Sequence, residues 1–107
     1  MNALLPGTLE MLVLRTLSRG PLHGYAIAQS IHQVSRDLLQ VEEGSLYPAL
    51  QRLLREGWVA AEWGMSAKNR RVRTYRITDA GRQQLEREVK GFEEAIHGIR
   101  LVLEGAE

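Results

Sequence analysis

The chain of 107 residues contains no cysteine, which excludes disulfides, thiolate metal ligands and a cysteine nucleophile. It also lacks any run near the roughly 20 apolar residues that span a bilayer, since Glu10 and Arg15 interrupt the apolar N-terminal stretch. That stretch has no basic leader of the kind that begins a signal peptide. We therefore expect a cytoplasmic location and no membrane partner.

Motifs for catalysis are missing as well. There is no glycine-rich phosphate loop and no nucleophile elbow. The three histidines, His23, His32 and His97, do not follow a metal-ligand spacing. Adjacent acidic pairs at 42–43 and 93–94 do not converge on one substrate. We therefore predict that the chain is not an enzyme and that it binds no metal and no other cofactor.

Charge is distributed unevenly, although the formal net charge is only +1. Residues 44–76 contain seven Lys and Arg against two acidic residues, a net charge of +5. Residues 1–43 carry −1 and residues 77–107 carry −3. Five of the basic residues lie in KNRRVRTYR, residues 68–76. A basic segment between acidic ones indicates a polyanionic partner such as nucleic acid.

Apolar periodicity predicts two short helices in the N-terminal third. The first begins with an N-cap at Thr8 and ends at SRGP, residues 18–21. The second begins near His23 and ends at Val34.

The most regular pattern is SLYPALQRLLREG, residues 45–57, which predicts a third helix with one apolar stripe. With Ser45 as N-cap, Pro48 falls in the first turn, where backbone N–H groups have no intrahelical partner, and Gly57 ends the helix. The polar face then presents Ser45, Tyr47, Gln51, Arg52 and Arg55.

Two strands at 59–63 and 71–78, around a Gly/Ser/Asn tip, predict a hairpin. A last helix, capped by Thr78 or Asp79, extends to about Glu104. Its apolar residues are spaced 4, 3, 4, 3 and 4, the pattern of a helix that packs along another helix. These residues, called the seam below, are Leu85, Val89, Phe92, Ile96, Ile99 and Leu103. We predict that the seam packs against a second subunit.

Three short helices, a basic hairpin and a long helix predict a winged helix-turn-helix fold, mainly α with a small β hairpin. In this fold the third helix enters the major groove, while the hairpin, or wing, reaches phosphates or the minor groove. We predict a DNA-binding domain over residues 1–78 and a dimerisation helix over residues 79–107.

Three motifs carry a family resemblance: PLHGYAI (21–27), GSLYPALQRLLREGWV (44–59) and RTYRITDAGRQQL (73–85). In this order they resemble PadR-family transcriptional regulators of the short kind with a single C-terminal helix. The resemblance implies a homodimeric repressor that pairs through its first and last helices and binds an inverted-repeat operator in double-stranded DNA. It also implies release by a small aromatic effector, and a third helix whose Tyr47 faces DNA.

On the third helix, Gln51 and Arg52 are candidates for base-edge contacts, and Tyr47 for a phosphate or base-edge contact. Ser45 and Arg55 complete the predicted set, with Arg55 closer to phosphate. The alternative is a helix face that is merely solvated.

On the wing, strand alternation places Arg71 and Arg73 on one face and Arg70 and Arg76 on the other, so not all wing cations can contact DNA together. We leave Arg76 with a structural role. The predicted wing contacts are Lys68, Asn69, Arg70, Arg71 and Arg73. The alternative is a charged hairpin whose cations only protect its edge from aggregation.

Two further alternatives remain at the level of sequence. A winged helix can be a protein-interaction module whose hairpin docks on an acidic protein, without specific DNA binding. Trp58 and Trp63 either pack the wing against the third helix or offer a stacking surface to a planar effector.

Overall fold

The computed structural model describes residues 7–105, so residues 1–6 and 106–107 of the two predicted domains lie outside the described part. Its helices are α1 (Thr8–Leu17), α2 (Gly24–Val34), α3 (Glu43–Arg55) and α4 (Asp79–Leu103). Its strands are β1 (Leu22–His23), β2 (Val59–Met65) and β3 (Arg71–Ile77). These elements form a winged helix-turn-helix with a long C-terminal helix, which confirms the predicted fold class. Within residues 7–105, no helix is both long and apolar enough to cross a bilayer.

One apolar core joins the first three helices to the sheet. Its largest fully buried side chains come from all three helices: Val13, Leu14, Leu17, Ile27, Leu46, Leu50 and Leu53. The α3 members follow helical spacing, so the predicted apolar stripe faces the core. Tyr75 and Ile77 of β3 close the core from the sheet, and Leu85 joins it from α4.

The sheet is antiparallel, and β3 lies between β1 and β2. β1 pairs Leu22 with Tyr75 and His23 with Thr74. The sequence pattern did not predict β1, because two residues are too few to show alternation. This short strand ties the start of α2 to the middle of the hairpin.

The start of α3 lies two residues before the predicted N-cap. The carbonyl of Glu42, in extended backbone, accepts the first intrahelical N–H at 2.9 Å, so the assignment of Ser45 as N-cap is wrong. Pro48 therefore lies within the helix instead of its first turn, and the carbonyl of Gly44 loses its usual donor. Both residues are on the exposed side of α3, where water can replace that hydrogen bond. The predicted N-cap of α1 is also wrong, because Gly7 and not Thr8 occupies the capping position.

The start of α4 depends on Thr78 and Gly81. The Oγ1 atom of Thr78 accepts the N–H of Gly81 at 3.0 Å and donates to the carbonyl of Gly57 at 2.7 Å, which confirms the predicted cap. Gly81 packs against the backbone of Trp58, and a Cβ atom there would collide with the Trp58 carbonyl oxygen. Glycine is therefore required at this joint, which sets the direction in which α4 leaves the body.

Burial decreases along α4. Leu85 is only 7% exposed, whereas Phe92 is 36% and Leu103 79% exposed. The helix has 25 residues and so a length of about 37 Å, and the longest dimension of the chain is 60 Å. The C-terminal half of α4 thus extends beyond the body, and its seam residues Phe92, Ile99 and Leu103 are exposed within one chain. The predicted dimerisation residues Leu85 and Val89 instead pack on the core of their own chain.

Candidate nucleic-acid interface

The side of α3 opposite the core presents four exposed residues at positions i, i+4, i+7 and i+11. They are Gly44, Pro48, Gln51 and Arg55. Because Leu46 and Leu53, half a turn away, point into the core, this stripe points away from it. Gln51 and Arg55 supply its long polar side chains. The structure therefore places the predicted base contact, Gln51, at the centre of the accessible face.

Arg52 and Ser45, seven residues apart, lie on one flank of α3, beside α1. The Nη2 and Nε atoms of Arg52 lie 2.6 and 2.8 Å from one carboxylate oxygen of Glu10 on α1. This pair offsets the charge of Arg52 and holds its side chain toward α1. The predicted contact between Arg52 and a base edge stays a prediction, and it requires this ion pair to open.

Tyr47 lies on the opposite flank of α3, against the start of α2. Its ring covers Gly24, where a Cβ atom would come within 2.8 Å of the Tyr47 hydroxyl oxygen, yet Tyr47 remains 41% exposed. Partial burial, and next the charges of Glu43 and Tyr75, raise the pKa of Tyr47 above its ordinary value. The hydroxyl is therefore protonated at neutral pH and can donate a hydrogen bond to a phosphate oxygen.

The tip of the wing is a turn that brings Lys68, Asn69 and Arg70 together at its exposed end. The N–H of Ser66 donates to the carbonyl of Arg70 at 2.8 Å, and the N–H of Arg70 donates to the Ser66 hydroxyl at 3.2 Å. Asn69 has a φ of 59°, in the left-handed region that asparagine tolerates better than most residues. The predicted tip residues thus form one exposed basic group.

Strand pairing sorts the wing arginines onto two faces. Trp63 lies directly opposite Arg73, and both share the core side of the hairpin, called the inner face, with Arg71. Arg76 is on the outer face, where its Nε atom lies 3.8 Å from a carboxylate oxygen of Glu62. Alternation had predicted this separation of Arg71 and Arg73 from Arg76.

Guanidinium groups and aromatic rings alternate along the inner face. The Cζ atom of Arg71 lies 4.6 Å from the centre of the Trp63 ring, and that of Arg73 lies 5.8 Å from the same centre. Arg73 is also 5.7 Å from the centre of the Tyr75 ring. These are cation–π distances, worth about 0.5–1 kcal/mol each at exposed sites. The series Arg71, Trp63, Arg73 and Tyr75 is called the ladder below.

The ladder connects the wing to α3. Tyr75, at its inner end, is buried in the core and lies close enough to Tyr47 to contribute to the raised pKa of that residue. The inner end of the ladder therefore lies near the flank of α3 that carries Tyr47.

The two tryptophans have different environments. Trp58 is partly buried against the core and fits the predicted packing role. Trp63 is 58% exposed, and guanidinium groups lie over its ring. The prediction that Trp63 packs the wing against α3 is therefore wrong. Sequence reasoning missed the ladder, although the register of the hairpin would have placed Trp63 next to both arginines.

Two of the histidines accept backbone hydrogen bonds. Nδ1 of His23 accepts the N–H of Ala26 at 3.4 Å, and Nε2 of His32 accepts that of Val41 at 2.7 Å. In the described part of the chain, no group of three or more His, Cys, Asp or Glu residues is placed to hold a metal ion.

An accessible polar helix beside a hairpin with an arginine-rich inner face, both on one three-helix core, defines a DNA-binding winged helix-turn-helix protein. Residues 13–87 match the family model of the PadR-like transcriptional regulators. The chain belongs to this family.

The chain is also similar to individual proteins. The chain is 32% identical over 101 residues to a Lysinibacillus sphaericus protein named "Uncharacterized protein X", covering 94% of this chain and 93% of that protein. A crystal structure of a PadR family transcriptional regulator from Eggerthella lenta is 34% identical, with a TM-score of 0.80 over 92% of this chain and 83% of that one. Bacillus subtilis PadR, solved in complex with operator DNA, is 24% identical, with a TM-score of 0.70 over 78% of this chain and 47% of that one. At that identity the last comparison shows the fold alone.

Proposed function

We propose that the chain is a cytoplasmic, homodimeric transcriptional repressor that binds an inverted-repeat operator in double-stranded DNA. Its role is regulatory and not catalytic. The predicted division, with DNA binding over residues 1–78 and dimerisation over residues 79–107, is part of the proposal. α3 would enter the major groove with Gln51 at its centre, while the wing would contact phosphates or the minor groove.

One observation carries the DNA-binding part of the proposal. Arg71 and Arg73 lie on the wing face that ends at Tyr75, near Tyr47 of α3, and among residues 7–105 neither has a carboxylate within ion-pair distance. Cations that are left without an anionic partner on a single surface are available to phosphate groups. Lys68 and Arg70 extend this surface to the wing tip.

The dimer rests on the part of the α4 seam that one chain leaves exposed, from Phe92 onward. An apolar groove along its C-terminal half is lined by Ala95, Gly98, Ile99, Val102 and Leu103. A second copy of α4 has the matching apolar stripe and would cover this groove, while α1 flanks the same helix nearer the body. Two-fold symmetry would then place two α3 helices about 34 Å apart, in successive major grooves.

The predicted small aromatic effector completes the proposal. A cleft between α1 and α4, lined in part by Met11, Glu88, Gly91 and Phe92, opens beside the seam. A compound in this cleft of the dimer would change how α1 and α4 meet the partner, and therefore the separation of the two α3 helices. Altered separation would release the operator.

The test compares Arg71→Gln with Arg76→Gln in titrations of duplex DNA at several salt concentrations. Both substitutions remove one positive charge from β3, but only Arg71 lies on the inner face. Wild-type affinity should fall as salt rises. Arg71→Gln should reduce the slope of log Kobs against log salt by about 0.9, and Arg76→Gln should leave it unchanged.

Equal slopes for the two variants would reject the inner face as the DNA surface. A wild-type protein without salt-sensitive binding to any duplex would favour the protein-interaction module instead. Footprinting on the DNA upstream of its own gene, with and without aromatic compounds, would then identify the operator and test release.

A further inference from the structure

We propose that Trp63 is a positioning residue for DNA binding: its indole ring holds the guanidinium groups of Arg71 and Arg73 on the inner face of the wing without offsetting their charge. This inference rests on the proposed function. It adds a residue that acts through the arginines.

Trp63 does not serve the core. The side chain is 58% exposed, although tryptophan carries one of the largest apolar surfaces of any residue. It lies opposite Arg73 and diagonal to Arg71, the two cross-strand positions that its ring can reach. The exposed ring therefore serves to contact the two guanidinium groups and not to fill the core.

The two faces of the wing hold arginine in different ways. On the outer face, Arg76 lies beside the carboxylate of Glu62, which offsets its positive charge. On the inner face, Arg71 and Arg73 lie over the ring of Trp63. A ring attracts a cation through its quadrupole and carries no net charge, so the full positive charge stays available to a phosphate.

At the Nε atom of Arg73, no hydrogen bond supplements the contacts with the two rings. Its Nε atom is buried and has no hydrogen-bond partner. A buried N–H without an acceptor is unfavourable, so the packing of Arg73 between Trp63 and Tyr75 must compensate for it. Without the Trp63 ring, Arg73 would be free to turn toward water.

A residue that positions the arginines should affect DNA binding differently from a residue that contacts DNA itself. A free arginine side chain samples many rotamers and loses that freedom when it binds a phosphate. In the ladder, part of this entropy is lost when the protein folds. Trp63 should therefore raise the affinity for DNA at every salt concentration while the number of phosphate contacts, and so the salt slope, stays the same.

The experiment titrates duplex DNA with Trp63→Leu, which keeps an apolar side chain but removes the ring. Binding should weaken by about five- to tenfold at each salt concentration, with an unchanged salt slope. Trp63→Phe, which keeps a smaller ring, should lose less. Met65→Leu is the matched control, because Met65 is also exposed on the inner face, opposite Arg71, and should bind as the wild type does.

A double-mutant cycle separates positioning from direct contact. In the Arg71→Gln/Arg73→Gln background, Trp63→Leu should cause little further loss, because the groups that it positions are gone. An undiminished loss in that background would mean that Trp63 touches DNA itself, and would overturn the proposal. Wild-type affinity of Trp63→Leu would overturn it as well.

A measurement without DNA tests the ladder separately. In the NMR spectrum of the free protein, the ring current of Trp63 should shift side-chain protons of Arg71 upfield, and Trp63→Leu should abolish this shift while the protein remains folded. Absence of the shift in the wild type would refute the ladder. A wild type that shows the shift but binds no duplex would refute the proposed function, and with it a role for Trp63 in binding. A wild type that binds no better than Trp63→Leu would refute the Trp63 inference alone.

Discussion

The winged body and the C-terminal half of α4 expose opposite kinds of side chain. In the body, Leu14 and Leu46 are fully buried, and the exposed side of α3 and the wing carries polar and basic groups. In α4 beyond Phe92, Ile99 and Leu103 are 48% and 79% exposed. Exposed arginines are compatible with water, whereas an exposed apolar stripe of this length is not.

This difference distinguishes the surface that a single chain completes from the surface that needs a second chain. Folding of a single chain assembles the candidate DNA surface, since α3 and the wing rest on one core. The outer seam residues of α4, from Phe92 to Leu103, find apolar surroundings only in the proposed dimer, whereas Leu85 and Val89 pack on the core of their own chain. Changes in the body should therefore act at any protein concentration, and changes in the seam should depend on concentration.

The largest expected effect comes from breaking the seam. Phe92→Glu places a carboxylate in the proposed helix–helix contact, where its desolvation is unfavourable. Light scattering should show a monomer, and operator affinity should fall about 10²- to 10⁴-fold because both half-sites are no longer bound together. Gln83→Glu adds the same charge on the exposed side of α4 and should remain dimeric. A dimer in the Phe92 variant would refute the seam.

A second substitution probes the joint between the body and α4. Gly81→Ala forces a Cβ atom into the carbonyl oxygen of Trp58, so the free energy of unfolding in urea should fall by about 1–3 kcal/mol. Gly91→Ala is the matched control further along α4, where, among residues 7–105, no heavy atom beyond the adjoining residues and the local helix backbone lies within 4 Å of a Cβ. It should raise stability by about 1 kcal/mol through helix propensity. Equal losses would show that the joint is not the cause.

Substitutions of two neighbouring residues on α3, Gln51 and Arg52, should distinguish a residue that reads DNA bases from one that stabilises the fold. Gln51→Ala should relax the sequence preference of DNA binding by about 1–3 kcal/mol at one base pair. Arg52→Ala should instead lower stability by up to about 1 kcal/mol, because Arg52 pairs with Glu10. Glu10→Gln should reproduce the Arg52 result in thermal denaturation. Loss of sequence preference in Arg52→Ala would show that Arg52 also reads a base edge, after its ion pair with Glu10 opens.

The smallest expected effect concerns Glu88, beside the seam. Burial raises the pKa of Glu88, a hydrogen bond from Gln84 lowers it, the charge of Glu10 raises it and that of Arg87 lowers it, with a net rise. The folded protein therefore binds more protons than the unfolded chain, so the contribution of Glu88 is most favourable at acid pH and is lost as pH rises through the folded-state pKa.

Glu88→Gln should accordingly raise the melting temperature at pH 7. The gain should shrink toward zero below the ordinary carboxyl pKa of about 4.3, where Glu88 is protonated in both states. Thermal melts across this range check the sign. A gain that is the same at pH 4 and pH 8 would contradict it.

Most of the fold follows from local patterns. The apolar stripes of α2 and α3 and the seam of α4 all have helical spacing, and the wing has the two-residue alternation of strands. The start of α3 was predicted wrongly because Ser45 and Pro48 resemble a cap, while Glu42, the actual N-cap, makes no side-chain capping hydrogen bond. A cap without a capping side chain leaves no local signal.

The candidate site was predictable only in part. The two-residue alternation of a strand was enough to predict that Arg71 and Arg73 lie on one face of the wing and Arg76 on the other. The pairing of Arg52 with Glu10 joins residues 42 positions apart, and nothing in either segment indicates it. The contact between Trp63 and Arg71 depends on the register of β2 against β3, which turn geometry sets together with core burial.

The two residues of β1 have a consequence for the shape of the DNA itself. Leu22 and His23 join the strand that carries the wing arginines to the first turn of α2, and Tyr47 of α3 packs on that same turn. The distance between α3 and the wing is therefore set before DNA arrives. With DNA bound as proposed, the duplex must adjust its groove width to this distance. Operators rich in easily deformed base steps would then be favoured at positions that no side chain touches.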